Sequence, residues 1–180
     1  KDYHQGKSIK CLENGVRLVH IFENEWIKEK EQWKWFIKCV LRAFPEPLSA
    51  FDCKSGQLSH YEGESFLEAN SVTPFKDAEN YVSYMLNNEI VGVVGYTERK
   101  LLAYGLKMGT EIDKLLTRFL KEHDIDSCEL PFSIGIENEL IDNGFVLDSI
   151  TQPNRFETFT RQNATYYSYD CGEVKLIRKI

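Results

Sequence analysis

The sequence lacks the features that mark several large classes of protein. No two of its five cysteines form a Cys-x-x-Cys pair, and their number is odd. We therefore expect reduced thiols rather than a disulfide framework or a zinc site. No apolar run approaches the ~20 residues that a membrane-spanning helix needs, and we recognise no secretory leader. The sequence thus predicts no membrane partner and a cytoplasmic location.

Internal repeats and low-complexity tracts are also missing, which argues against a repeat array. The 180 residues are 42% hydrophobic and 13% aromatic, enough for the core of one domain with a small appendage. The net charge of −6 is uneven: residues 1–60 carry 10 Lys and Arg against 8 Asp and Glu, and residues 61–180 carry 12 against 20. Because this acidic body repels a polyanion, we expect any nucleic acid to contact the front third or a second chain.

A predicted hairpin and the helix after it are the centre of the chain. Two β-prone runs, 81–86 and 89–96, flank Asn87 and Asn88, and asparagine tolerates the positive φ angles of a tight turn. A link punctuated by glycines leads into a predicted helix over residues 110–122. Its apolar stripe comprises Ile112, Leu115, Leu116, Phe119 and Leu120. A hairpin followed by a helix with one stripe to bury predicts a mixed α/β (α+β) domain.

The flanking elements complete this picture. In the front part the sequence predicts a helix over residues 1–14, a strand over 16–22, a helix over 27–44, a linker over 48–63 and a short helix over 64–70. Behind the central helix it predicts strands over 126–130, 145–150, 155–161, 166–170 and 173–180, and a short helix over 136–143.

Residues 1–26 resemble a recurring segment of phage homing endonucleases of the very-short-patch-repair-like (EDxHD) type. The shared pattern is Tyr3-His4, then Lys7-Ser8, a helix, a glycine, a strand around His20 and a Glu-x-x-Trp motif. This resemblance implies that residues 1–47 are the closing helix and strand of that nuclease fold followed by a linker helix.

The remainder resembles the domain that often follows in those phage proteins, which is similar in layout to the acetyltransferase (GNAT-like) fold. The matching segments are 66–70, 115–119, 144–145, 153–154 and 169–172. The resemblance implies a GNAT-like α/β domain over residues 48–180. Two segments depart from the pattern: 71–74 replaces a His-x-x-Gly motif, and 131–134 replaces an Asp-Arg pair. We therefore expect a domain that binds rather than catalyses.

The first candidate site lies at the start of the front helix. In a nuclease a carboxylate binds a divalent metal ion such as Mg²⁺, a histidine takes part in proton transfer and a lysine contacts the phosphate. The resemblance implies nuclease roles for Asp2 and His4, with Asp2 the metal ligand, and Lys7 completes the catalytic set. A metal site needs more oxygen ligands than one carboxylate supplies, so cleavage requires an upstream catalytic half. The alternative is a solvated helix start.

The second candidate site comprises Gly105, Gly109 and Thr110, before the central helix. In an acetyltransferase, backbone N–H groups at this position bind the pyrophosphate of acetyl-CoA. The alternative is a capped structural helix, because Thr110 and Asp113 have the spacing of a capping box. Glu111 and Asp113 would also repel a pyrophosphate.

Three functions follow from these patterns. The first is the C-terminal portion of a phage homing-endonuclease-like protein, which contacts double-stranded DNA through its N-terminal segment, or a partner, in the bacterial host cell. The second is an acyl-CoA-dependent N-acyltransferase. The third is an inactive phage module that binds a host or phage protein and needs no cofactor.

Overall fold

The computed structural model describes residues 2–41, 43, 52–72, 75–107, 112–161 and 164–178. The elements of these ranges are α1 (Tyr3–Glu13), α2 (Glu23–Lys28), α3 (Lys30–Val40), β1 (Lys54–Leu58), α4 (His60–Asn70), β2 (Asn80–Leu86), β3 (Glu89–Thr97), β4 (Lys100–Leu106), α5 (Ile112–Glu122), β5 (Ser127–Pro131), α6 (Asn138–Asp142), β6 (Phe145–Ile150), β7 (Arg155–Arg161), β8 (Ala164–Tyr169) and β9 (Glu173–Arg178). No helix among the described residues is long and apolar enough to cross a membrane.

Seven of the strands form one mixed sheet in the order β1-β2-β3-β4-β5-β9-β6. Neighbouring strands are antiparallel except for β4 and β5, which run parallel and are joined by α5. Strands β7 and β8 form a separate hairpin between β6 and β9. A mixed sheet flanked by helices confirms the predicted α/β class.

The predicted hairpin is confirmed as β2 and β3. Asn87 and Asn88 have φ angles of 51° and 64°, and Leu86 pairs with Glu89 across the two-residue turn. Positive φ at both central residues gives a turn whose twist matches that of the flanking strands. Asparagine accepts this geometry more readily than most residues, so the two asparagines are enough to predict the turn.

The segment predicted as a glycine-punctuated link is instead the central strand β4. Leu101, Leu102 and Ala103 are all buried, although they are consecutive and so face different sides of the sheet. A strand that is covered on both faces shows a continuous apolar run instead of an alternating pattern. Such a run has no strand periodicity, which is why the prediction was wrong.

Helices cover both faces of the sheet. The stripe of α5 is confirmed for its described side chains: Leu115, Leu116 and Phe119 have no exposed surface and Leu120 is buried. The Ile112 side chain lies outside the described part. On the opposite face Leu67 of α4 packs in a cluster with Tyr81 of β2. At roughly 1.5–3 kcal/mol for each fully buried large apolar side chain, these two layers supply much of the folding free energy.

The front helix is confirmed as α1, but the strand predicted over residues 16–22 is wrong. This segment has no regular secondary structure and forms no ladder with a described strand; the N–H of His20 donates to the carbonyl of Ser133 at 2.7 Å. The helix predicted over 27–44 is two helices, α2 and α3, separated at Glu29, whose φ of −126° is not helical. Residues 42 and 44–47 lie outside the described ranges.

The front helices contribute to the same hydrophobic core as the sheet. Trp33 and Phe36 of α3 are buried in one cluster with Leu115 and Phe119 of α5. The division into residues 1–47 and 48–180 stays a prediction.

The linker predicted over residues 48–63 is wrong for its described part. Residues 54–58 form the edge strand β1, in which Lys54 pairs with Met85 and Leu58 with Tyr81. Ser59 then caps α4, since its hydroxyl accepts from the N–H of Glu62 at 3.3 Å. β1 is held to the sheet by backbone pairing with β2, so its side chains need not alternate between apolar and polar. A short polar edge strand of this kind has the composition of a linker.

Candidate functional site

A gap opens in the sheet between β4 and β5. These parallel strands are paired only at Lys100 with Ser127 and at Leu101 with Cys128. Further along, β4 stays paired with β3 and β5 with β9, and in the described part of the chain no strand fills the space between them. In open α/β sheets such crevices at the carboxyl ends of diverging strands are frequent ligand sites.

A small apolar cavity of about 60 Å³ lies along this gap. Residues 102–106 of β4 form one wall, and Leu130, Trp35 and Phe36 contribute to the others. The hydroxyl of Ser71 donates to the Tyr104 carbonyl at 3.1 Å, so one backbone acceptor of β4 is used by a side chain.

Gly105 lines the same cavity, and its lack of a side chain has a packing reason. A Cβ at this position would lie 2.9 Å from Cδ2 of Leu67 and 3.4 Å from Oγ of Ser71. Glycine thus allows the end of α4 to lie close against β4. Gly105 was predicted as a cofactor-binding residue in a link, and it is found within a strand at the cavity wall. Gly109 and Thr110, the other two residues of that prediction, lie outside the described residues.

A second, larger cleft of about 630 Å³ adjoins the apolar cavity. The two share Ser71, Phe75 and Pro131 in their walls. The larger cleft extends from there between α2 and the base of the β7–β8 hairpin, where Asn154 and Phe156 line it. Its volume falls within the range of roughly 300–1,000 Å³ that is usual for small-molecule sites.

The larger cleft is acidic. Its lining includes one basic residue, Lys28, and five carboxylates, Glu25, Glu29, Glu68, Asp170 and Glu173. Glu173 is balanced by Lys76, whose Nζ lies 2.7 Å from its carboxylate. The remaining excess of negative charge favours a cationic ligand and disfavours a polyanion.

Glu25 is the most perturbed carboxylate of this cleft. Burial raises its pKa to about 7, and the negative charges of Glu29 and Asp170 act in the same direction. The backbone N–H of Phe22 donates to Glu25 Oε2 at 3.3 Å, which opposes the increase in pKa. A carboxylate with a pKa near 7 in a cleft can accept and release a proton at neutral pH.

Asp170 is fixed in place by the turn that follows β8. Its Oδ1 accepts from the backbone N–H groups of Asn154 at 2.7 Å and Gly172 at 2.8 Å. Gly172 has a φ of 72°, and a Cβ there would lie 2.4 Å from the Thr151 carbonyl. Cys171 between them is fully buried, and burial raises its pKa to about 11, so this thiol is protonated and shielded from the cleft.

A partly buried ion pair connects the segment after α1 to the gap. The guanidinium of Arg17 donates to both oxygens of Glu137 at 2.5 and 2.7 Å, and the hydroxyl of Tyr104 donates to Glu137 Oε1 at 2.8 Å. Burial raises the pKa of Tyr104 well above its usual value, so the hydroxyl stays a donor. Arg17, a residue of the segment predicted as a strand, thereby contacts the start of α6 and the wall of the gap.

Asp2, His4 and Lys7 occupy the start of α1, and none of them lines either cleft. Asp2 is exposed; the ring of His4 lies 5.2 Å from that of His20. Burial lowers the pKa of His4, and the charge of Lys7 acts in the same direction. Among the described residues, Asp2 belongs to no group of three metal-ligating side chains. The nuclease roles of these three residues stay predictions.

Glu25 and Asp170 were not predicted as site residues. Glu29 lies four positions after Glu25, the spacing of neighbours on a helix, and this was the one local sign of an acidic surface. No local pattern links either of them to Asp170, because the β7–β8 hairpin brings it to the cleft.

No family model and no curated protein matches this chain. Among solved structures, the crystal structure of an acetyltransferase from Bacillus subtilis in complex with CoA is similar, with a TM-score of 0.44 and 10% identity over 71% of this chain and 97% of that chain. A likeness at this level carries no argument about function.

Proposed function

We propose that this chain transfers an acyl group from an acyl-CoA thioester to a primary amine. The observation that supports the proposal is the pair of adjoining clefts at the β4–β5 gap, one small and apolar and the other larger and acidic. An acyltransferase of this kind must bind an apolar acyl chain next to a cationic amine, and the two clefts match these two requirements. The two clefts therefore favour the acyl-CoA-dependent N-acyltransferase among the three functions predicted from the sequence.

The unpaired edge of β4 is suited to bind the pantetheine arm of acyl-CoA. Beyond Leu101 this edge has no strand partner among the described residues. The Tyr104 carbonyl accepts from Ser71, and an extended ligand would pair with the backbone groups that remain. An amide-bearing chain can add to such an edge by main-chain hydrogen bonds, as a peptide strand does. The pantetheine arm of CoA contains two amides. It would lie along the edge that includes Gly105, with its acyl group in the apolar cavity.

The acidic cleft is suited to bind the amine acceptor. Glu29, Glu68 and Asp170 attract an ammonium group, and Glu25 is suited to remove its proton. In the reaction the ammonium gives one proton to Glu25, and the neutral amine nitrogen forms a C–N bond to the thioester carbonyl. As the C–S bond breaks, the nitrogen loses its second proton, which the leaving thiolate takes by way of water to give the free thiol, and Glu25 then releases its own proton to solvent. The products are an amide and CoA.

Calorimetric titration with acetyl-CoA tests the first requirement. We expect a dissociation constant of about 100 μM or lower, and about tenfold weaker binding to Val72→Phe, which fills the apolar cavity. Val146→Phe is the matched control, since Val146 is a half-buried valine on β6 that lines neither cleft. Absence of acetyl-CoA binding, or equal binding by the two variants, would contradict the proposal.

Steady-state kinetics with a polyamine such as spermidine tests the second requirement. We expect Glu25→Gln to lower kcat/KM at pH 8 by about 100-fold or more, because a general base contributes roughly that much. Glu23→Gln changes the same charge on the same helix at an exposed position and should retain the wild-type rate. Equal rates for both variants would remove Glu25 from the mechanism.

The other two functions stay predictions from the sequence. The endonuclease prediction is tested by a cleavage and binding assay on duplex DNA with Mg²⁺. The assay uses the chain joined to an upstream catalytic half. Loss of cleavage in Asp2→Ala and His4→Ala would support it. A host-lysate pull-down that returns one stoichiometric protein would support the interaction module.

A further inference from the structure

Three metal-ligating side chains meet at the first turn of α4. His60 and Glu64 lie one helical turn apart, and Asp77 reaches them from the segment before β2. One ligand atom of each lies within 4.8 Å of the others. We propose that His60, Glu64 and Asp77 bind a divalent transition-metal ion, and that Zn²⁺ fits this set of one imidazole and two carboxylates best.

The two distances from His60 to the carboxylates are compatible with a tetrahedral ion. Nε2 of His60 lies 3.5 Å from Oε1 of Glu64 and 3.2 Å from Oδ1 of Asp77. Two ligand atoms that are each about 2.1 Å from a tetrahedral zinc ion lie about 3.4 Å apart. Direct N–H···O hydrogen bonds are shorter, with a usual length of about 2.9 Å. The distance to Glu64 therefore matches the edge of a coordination tetrahedron, and the distance to Asp77 lies between the two reference values.

A buried tyrosine orients two of the three ligands. The hydroxyl of Tyr81 donates to Oδ1 of Asp77 at 3.2 Å, the oxygen that faces His60, and it accepts from the N–H of Ala78 at 3.1 Å. The ring of Tyr81 also contacts the His60 ring edge-on, with 5.4 Å between centroids. Outer-shell hydrogen bonds of this kind fix ligand orientation in metal sites and raise affinity.

The site lies away from the apolar cavity. His60 and Asn70 are at opposite ends of α4, about 15 Å apart at 1.5 Å per residue, and Asn70 is the end that borders the apolar cavity. A bound ion would join the start of α4 to the segment before β2, both of which pack on the same face of the sheet. Because it binds only the folded chain, it would raise the melting temperature.

Zinc titration of four variants tests the proposal. We expect the wild type to bind one Zn²⁺ per chain, and His60→Ala, Glu64→Gln and Asp77→Asn each to bind about tenfold more weakly or worse. Glu79→Gln removes the same charge at an exposed position two residues from Asp77 and should bind as the wild type does. All three ligands are at least 38% exposed, so the substitutions leave the core intact.

Two further readouts make the test decisive. Zn²⁺ should raise the melting temperature of the wild type and of Glu79→Gln, and leave that of Asp77→Asn unchanged. Co²⁺ should give a visible spectrum without a thiolate charge-transfer band. A thiolate band, or unchanged Zn²⁺ affinity in His60→Ala, would overturn the proposal by assigning the ion to cysteine or to another site.

Discussion

At the scale of single residues, Glu25 connects the proposed chemistry with stability. Its pKa is about 7 in the folded chain against an ordinary value of 4.5, with burial the main cause. The folded state therefore retains the proton at pH values where the unfolded chain has released it. It follows that the contribution of Glu25 to stability falls as the pH rises from about 4.5 through 7, and above 7 the full penalty is present.

We expect Glu25→Gln to raise the melting temperature at pH 8 and to have a smaller effect at pH 5, because glutamine is neutral at both pH values and can still accept from the N–H of Phe22. Thermal unfolding followed by circular dichroism at the two pH values measures this difference. Glu23→Gln, on the exposed side of α2, should show no pH-dependent gain. A gain of equal size at pH 5 and pH 8 would contradict a raised pKa.

At the scale of elements, two helical glycines have opposite packing environments. A Cβ on Gly6 of α1 would meet no atom within 4 Å, whereas a Cβ on Gly63 of α4 would lie 2.2 Å from Cγ of Tyr81. Tyr81 is buried and its ring is rigid, so it has little room to move. The absence of a side chain at Gly63 thus allows α4 to lie close against the sheet, and Gly6 has no such role.

We expect Gly6→Ala to raise the free energy of unfolding by about 0.5–1 kcal/mol, since alanine is the better helix former. Gly63→Ala should instead lower it by about 1–3 kcal/mol, because overpacking outweighs the same gain in helix propensity. Urea denaturation of the two variants measures both values. If the two substitutions shifted stability in the same direction, the close approach of α4 to Tyr81 would be wrong.

At the scale of the whole molecule, one hydrophobic cluster joins the front helices to the sheet. Trp33 of α3 is fully buried in the same cluster as Phe119 of α5 and Leu176 of β9. The ion pair of Arg17 with Glu137 makes a second connection. Because core contacts and a partly buried ion pair both join residues on either side of the predicted boundary at 47 and 48, we expect the two parts to unfold together.

Trp33→Ala should therefore lower the free energy of unfolding by about 3–5 kcal/mol, as expected for truncation of a large core side chain. Near-ultraviolet and far-ultraviolet circular dichroism should report a single, coincident transition. Ile27→Ala is the control, since Ile27 is 72% exposed on α2. If Trp33→Ala does not fold, the milder Trp33→Phe variant replaces it in the same measurement. Two separate transitions would instead support independent units at residues 1–47 and 48–180.

Local features of the sequence determined much of the fold. The turn at Asn87 and Asn88 and the buried stripe of α5 were predicted with nearly their observed bounds, as was the helix α1. Turn dihedrals, caps and helical periodicity depend on residues a few positions apart, so a single sequence contains them. The mixed α/β class followed from the same elements.

Only the tertiary structure decided where the site lies. The run from Leu101 to Leu106 has no strand period because both its faces are covered. Residues 16–22 have strand propensity but pair with no described strand, and His20 instead donates to the Ser133 carbonyl. The gap beside β4 exists because β5 pairs with β9 and departs from its parallel neighbour. Glu25 and Asp170 meet through contacts between distant segments. Pairing and charge proximity of this kind depend on the whole packed chain, and no local pattern of residues encodes them.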